Sequence, residues 1–258
     1  MEKDLAALSL DDEEEEIIHI QKESNSDIVE EYFYLTGCFL TANIIYFPTM
    51  RSKMANLWHP IKGVQISNPE EKRFLLRFFH RTDLERVLKG SPWTFNNHLL
   101  ILHQLMDRDD PLKVPLIYAN FWVQIHEVPL GFFSEALERQ IGDFIGKFIE
   151  YNGSNLGKGV RHYLRIRVKL DVRKPLKRKK KILFSSGICS YVSFKYERLT
   201  LFCFFCGRLG HSDSFFHSKM ELGFEVAEIG WNLSILAQSR RALAMNSVWL
   251  RDDGREIQ

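Results

Sequence analysis

Two thiols and an imidazole, Cys203, Cys206 and His211, stand at C-x2-C-x4-H spacing in the stretch FCFFCGRLGHSDSFFH. Thiolates and imidazoles are the usual ligands of structural zinc, which takes four donors in a tetrahedral shell. The first three donors of such a shell are present, and Gly207 and Gly210 between them relieve backbone strain in the tight turns it needs. A fourth ligand is due at position 216, which holds Phe216, while His217 beside it offers C-x2-C-x4-H-x5-H. Asp213, only two residues beyond His211, is a poorer donor for the same shell. The alternatives are a Zn2+ site closed by His217 and a decayed site that has lost its last ligand. Phe204 and Phe205 lie between the thiols. An exposed ring there stacks on an unpaired base, so Phe204 is expected to stack, Phe205 to pack on protein, and Arg208 to reach phosphate.

A second chemical signal precedes the first. Residues 158–181 hold twelve Lys and Arg against one acid, Asp171, although the whole chain of 258 residues has a net charge of only +2. Within that segment Arg165, Arg167 and Lys169 alternate with Leu164, Ile166, Val168 and Leu170, the pattern of a strand with one apolar and one cationic face. The run Lys177, Arg178, Lys179, Lys180, Lys181 follows. Such a density of positive charge attracts a polyanion. A nuclear import signal and a solvated loop are the other readings of the run. Residues 1–31 are the opposite, twelve acids against two lysines, and read as an acidic disordered tail.

These residues need a scaffold, and the chain has one to offer. It is 45% hydrophobic and carries twenty Phe, so a buried core is expected. Residues 32–40 suit a buried strand, and Phe47, Met50, Met54, Leu57 and Trp58 recur at helical spacing. Residues 63–67 and 73–79 read as strands joined by a turn at Asn68-Pro69. A helix opens at a Thr82-x-x-Glu85 capping box and stops at Gly90, before a strand over 99–105. The order β-α-β-β-α-β over residues 32–107 is the ferredoxin-like plan shared by RNA-recognition modules. Its third strand places Leu76 two residues after Phe74, so at most one base-stacking ring of the usual pair is present.

A second, smaller α+β unit spans 114–200, with a strand over 121–128, a helix capped by Ser134, and strands at 148–151, 162–170, 181–184 and 189–196. The knuckle-like segment covers 201–217. In the tail, 218–258, a partly helical stretch is expected over 224–244, with Trp249 and Leu250 docking back. Cys38 and Cys189, in apolar strand contexts, are expected in the core. Four scattered cysteines and the lack of a secretory or membrane-spanning run point to a reducing compartment, nuclear or cytoplasmic, with no membrane partner.

Several stretches in order carry a resemblance: Trp58-x-Pro60, Gly63-Val64, Phe78-Phe79-His80, Gly90-Ser91-Pro92-Trp93-Thr94-Phe95, Phe121-Trp122-Val123-Gln124-Ile125-His126, Pro129-Leu130-Gly131, Asp171-Val172-Arg173-Lys174-Pro175-Leu176-Lys177, and Lys195-Tyr196-Glu197-Arg198-Leu199 leading into Cys203. Over roughly residues 30–217 the chain resembles a plant retrotransposon-derived family, gag-like or LINE-type, that joins an N-terminal domain of unknown function to a C-x2-C-x4-H-x4-C (CCHC-type) zinc knuckle. The resemblance implies zinc and nucleic-acid binding and no catalysis. Phe216 and Thr200 depart from the family pattern, at its fourth ligand and at a frequent proline before the knuckle.

The reading is a non-enzymatic binder of single-stranded nucleic acid, RNA before DNA, with Zn2+ as its cofactor. The alternative is a protein-interaction or self-assembly module with a vestigial knuckle. No phosphate-binding Gly-rich loop, nucleophile elbow or metal-binding carboxylate cluster is present in the sequence, and no small-molecule substrate is expected.

Overall fold

The computed structural model describes residues 32–152, 163–184, 187, 189–212 and 230–238. The acidic tail, Asp213, Phe216, His217, most of the 224–244 stretch, and Trp249 with Leu250 lie outside them.

Among the described residues the fold is α+β, with two five-stranded antiparallel sheets and three α-helices. The first sheet comprises β1 (Phe33–Phe39), β2 (Val64–Glu70), β3 (Arg73–Phe78), β4 (Trp93–Phe95) and β5 (His98–Gln104), in the order β2-β3-β1-β5-β4. Helix α1 (Phe47–Trp58) follows β1 and helix α2 (Arg81–Gly90) follows β3. The β-α-β-β-α-β order is therefore present with one short strand, β4, added at the edge. The second sheet comprises β6 (Tyr118–His126), β7 (Lys147–Tyr151), β8 (Tyr163–Asp171), β9 (Lys179–Leu183) and β10 (Cys189–Tyr196), ordered β7-β8-β6-β10-β9, with α3 (Glu135–Ile145) before β7. Among the described residues no helix is long and apolar enough to cross a membrane.

The strand β5 explains how the sheets meet. Its run Leu99-Leu100-Ile101-Leu102 is apolar on both faces because both are covered. Leu100 and Leu102 pack in the first core with Leu35, Phe74, Phe78 and the buried face of α1, Met50, Met54 and Trp58. Leu99 and Ile101 join Phe121, Val123, Ile125 and Ile166 in the second.

Three local expectations change. The turn after β2 lies at Glu71-Lys72, beyond Asn68-Pro69, and the register shifts between Ser67 and Glu70. Pro69 has no N–H to give, which an edge strand tolerates. The α2 cap is His80, whose Nδ1 accepts from the Thr82 N–H at 3.1 Å; Glu85 is drawn instead to Arg81 at 3.1 Å and Lys89 at 3.5 Å. Phe74 is buried against Phe39 and Phe47, so β3 shows no stacking ring to solvent there. Ser134 does cap α3, accepting from the Leu137 N–H at 3.3 Å.

Much of the Trp58-to-Phe95 motif proves to be scaffolding. The buried Asp83 carboxylate accepts from the Ile61 and Lys62 N–H groups at 2.9 and 3.2 Å, clamping the loop after α1. Trp93 donates its indole N–H to the Val87 carbonyl at 2.7 Å and covers Gly90 so closely that a Cβ there would meet its ring at 2.3 Å.

Candidate metal centre and nucleic-acid interface

The knuckle is built from a short backbone turn held by its own hydrogen bonds. A β-bridge joins Phe202 to Leu209, the Gly207 N–H bonds to the Cys203 carbonyl at 2.8 Å, and the Cys203 N–H bonds to the Arg208 carbonyl at 3.0 Å. Gly207 at φ +71° and Gly210 at φ +93° supply the left-handed conformations the reversal needs. Both also sit against other chain segments. A Cβ on Gly207 would meet the Trp231 ring at 2.3 Å, and one on Gly210 would meet Leu40 at 2.7 Å.

This turn brings one donor atom each from Cys203, Cys206 and His211 within 4.8 Å of one another, and Cys206 Sγ lies 3.2 Å from His211 Nε2. Among the described residues this is the one such trio. Bond lengths of about 2.3 Å to sulfur and 2.0 Å to nitrogen place tetrahedral donors roughly 3.5–3.8 Å apart, so the trio fits three corners of a zinc shell. Neither thiol is in a disulfide among the described residues, and Cys203 is fully buried, as structural ligands are. These three residues would hold the metal; the fourth corner, where His217 or Phe216 would stand, lies outside the described residues.

The aromatic pair is arranged differently from expectation. Phe204 sits edge-on to Phe202, with ring centroids 5.1 Å apart, and packs against the second core. Phe205 is the more exposed ring, at 37%. Phe204, which follows core-facing Phe202 and buried Cys203, is turned inward, and Phe205 is the ring of the two that faces solvent.

The basic strand is corrected more deeply. Arg165 and Arg167 do not present charge to solvent; their side chains are only 11% and 5% exposed. Arg165 donates Nε and Nη2 to the two Glu197 oxygens at 2.8 and 2.7 Å and lies 3.7 Å from the Trp122 ring centroid. Arg167 pairs with Glu150 at 2.9 Å and donates to the Leu88 carbonyl at 2.6 Å and Ser91 Oγ at 3.0 Å. The α2 end and the Glu197 carboxylate cover the strand face that alternation alone would leave open. Gln124 extends this network, donating to Glu197 at 2.9 Å, with His126 Nε2 3.1 Å from its oxygen. Burial, aided by Lys195, pushes the His126 imidazole down to about 4, so it is neutral at pH 7.

Lys169 remains half-buried, its Nζ 5.1 Å from the Tyr118 ring centroid. Residues 177–181 are all exposed. Lys177 and Arg178 lie in a loop, while Lys179, Lys180 and Lys181 begin edge strand β9, paired with β10. Lysines on an edge also discourage further strand pairing. Lys180 lies 4.4 Å from the Phe144 ring and Lys179 5.0 Å from that of Tyr191. Arg208 is exposed beside the knuckle. Cys38 is half-buried, which raises its thiol pKa, but Cys189 is exposed, at the open end of β10 opposite exposed Leu183.

Trp231 was not legible as a site residue. Its indole N–H donates to the Leu176 carbonyl at 2.9 Å, Arg178 lies 5.6 Å from its ring, and it closes over Gly207. The neighbouring segment docks on β10, with Ala237 N–H donating to the Tyr196 carbonyl at 3.0 Å and Ile235 buried.

Residues 31–112 match the family model described as a domain of unknown function (DUF4283), and residues 170–218 match that described as a zinc knuckle. The chain thus pairs a DUF4283-type segment, on the first sheet, with a zinc-knuckle segment that includes the basic run. It is also 28% identical over 130 residues to the uncharacterized protein At4g02000 of Arabidopsis thaliana. That alignment covers 50% of this chain and 40% of the other, so the chain spans less than half the length of this relative.

Proposed function

We propose that this chain is a non-enzymatic nucleic-acid-binding protein of retrotransposon origin, gag-like or LINE-type, that holds Zn2+ in its knuckle and engages single-stranded RNA. One observation carries the reading. The Leu176 N–H donates to the Gly207 carbonyl at 2.8 Å, which ties the cysteine-histidine trio to the loop that opens the basic run. That bond sets the start of the basic run beside the knuckle turn, on which Phe205 is exposed, and supports reading the turn and the five consecutive cations as parts of one binding surface. Phosphates on the cations supply affinity, and a base on the ring supplies the preference for unpaired strands.

The test is a salt series of binding between the zinc-loaded full chain and a short fluorescent oligo(U). Each phosphate neutralised on a single strand contributes a log–log slope of about −0.7, so about five contacts give about −3 to −4. Replacing Lys179, Lys180 and Lys181 by Ser should weaken binding and flatten the slope by about 2. Phe205→Ala should weaken it with the slope unchanged, because stacking releases no ions. Affinity insensitive to salt would instead favour the assembly reading, for which exposed Ile44, Tyr46 and Ile61 provide apolar surface.

A further inference from the structure

Beside the knuckle lies a cleft of about 900 Å³, within the size range of small-ligand sites. Its walls are the end of α3 with the turn into β7, the end of β8, and the loop 174–178, with Trp231 shared between cleft and knuckle. Five of its lining residues are basic: Lys147, Lys169, Lys174, Lys177 and Arg178. Two are acidic and both are engaged. Asp171 gives its oxygens to Arg173 at 2.9 and 2.8 Å, and Asp143 accepts from the Phe148 N–H at 3.0 Å. The C-terminal end of α3 opposes an anion with about half a charge, which Lys147 beside it outweighs.

Two lining rings are open to solvent, Phe144 at 36% and Tyr118 at 40%. Each already lies under a cation: Lys177 and Lys180 at 5.7 and 4.4 Å from Phe144, Lys169 at 5.1 Å from Tyr118. A ring that attracts an ammonium group offers its face to a base as well. A base stacking there would displace the lysine towards the adjoining phosphate, and both exchanges favour a strand over a bare polyanion.

We infer that this cleft seats the single strand, with Phe144 and Tyr118 as base platforms and Lys147, Lys169 and Lys174 as phosphate contacts. The inference rests on the proposed nucleic-acid reading and locates its main site. Trp231 makes cleft and knuckle one surface, with the knuckle as one end of the track.

The experiment uses the zinc-loaded full chain, fluorescent oligo(U) and unlabelled poly-glutamate as competitor. Phe144→Ala should lower affinity about tenfold without altering the salt slope, and Phe144→Trp should restore it. Added to the five contacts of the basic run, the three cleft lysines bring the wild-type slope to about −5 to −6, and Lys147→Ser, Lys169→Ser and Lys174→Ser together should flatten it by about 2. The same charge removal at Lys72, Lys89 and Lys113, on or beside the first sheet, should leave it nearly unchanged. Cobalt absorption of the knuckle, unchanged in each variant, shows that the fold has survived. Wild-type binding that weakens with the Lys179–Lys181 replacements but ignores the Phe144 and cleft-lysine variants overturns the cleft and leaves the proposed function standing. Control lysines that flatten the slope equally overturn it too. Poly-glutamate displacing the strand at equal charge, with Phe144→Ala silent, makes the cleft an acidic-peptide site. Absence of salt-dependent oligo(U) binding removes both readings together.

Discussion

Glu138 is a carboxyl group in the wrong place for its charge. It lies in α3, 2% exposed, and its Oε2 has no hydrogen-bond partner among the described residues. Burial, with the Glu135 charge second, pushes it up to about 7. Unfolding restores an ordinary value of 4.5, so between about 4.5 and 7 the folded chain binds more protons than the unfolded one. Its contribution to stability is therefore fully present below pH 4.5 and is lost as pH rises through 7. Glu138→Gln should remove that loss, raising stability at pH 8 by on the order of 2 kcal/mol relative to the wild type's change from acid pH. Urea unfolding of both proteins at pH 5 and pH 8 measures it. Equal changes in the two proteins would show that Glu138 titrates normally. At the same scale, the spacing of Cys203, Cys206 and His211 was legible because ligands on one turn are a local property. The inward packing of Phe204 and the exposure of Phe205 were not, since adjacent rings differ only in what lies above them.

Helix α2 shows how the elements are joined. Its C-terminal carbonyls receive arginines from the second sheet's side of the molecule: Arg167 bonds the Leu88 carbonyl at 2.6 Å and Arg198 bonds that of Gly90 at 3.1 Å. Cations at this end of a helix complement its dipole. Arg167 is the buried one, so removing it strands Glu150 and takes one donor from the Leu88 carbonyl, which the Ser91 N–H and Oγ still reach at 3.4 and 2.8 Å. Arg167→Ala should destabilise by about 2–3 kcal/mol, towards the low end for a buried pair because Glu150 is half exposed. Arg198→Ala, at the surface, should cost under about 1 kcal/mol. Chemical denaturation compares them, and near-equal losses would refute a bridging role. The elements were largely visible in the sequence, through period and caps. The Thr82-Glu85 box misled because His80 also accepts hydrogen bonds, and Glu85 has two nearby cations.

At the scale of the whole molecule, the knuckle is part of a core. Phe202, Leu209 and partly buried Trp231 pack in the second cluster with the strands of its sheet. Metal bound only by the folded chain stabilises it by about 2.7 kcal/mol at a hundredfold excess over Kd. For a chain of this size that corresponds to about 5–10 °C in Tm. Chelator should therefore lower the Tm of the full chain by that amount and abolish the difference in Cys206→Ser. A Tm indifferent to chelator would mean that the trio holds no metal.

The sequence by itself determined the α+β alternation, the C-x2-C-x4-H turn with its glycines, and the concentration of charge over residues 158–181, because each depends on neighbours within a few positions. Only the tertiary structure decided what covers each face. Alternation puts Arg165 and Arg167 on one side of β8, yet Glu197, Glu150 and the end of α2, from 17 to 79 residues away, determine that this side is closed. The cleft likewise gathers residues from Tyr118 to Trp231. A local pattern records which way a side chain points; which distant segment arrives opposite it depends on the packing of the whole chain.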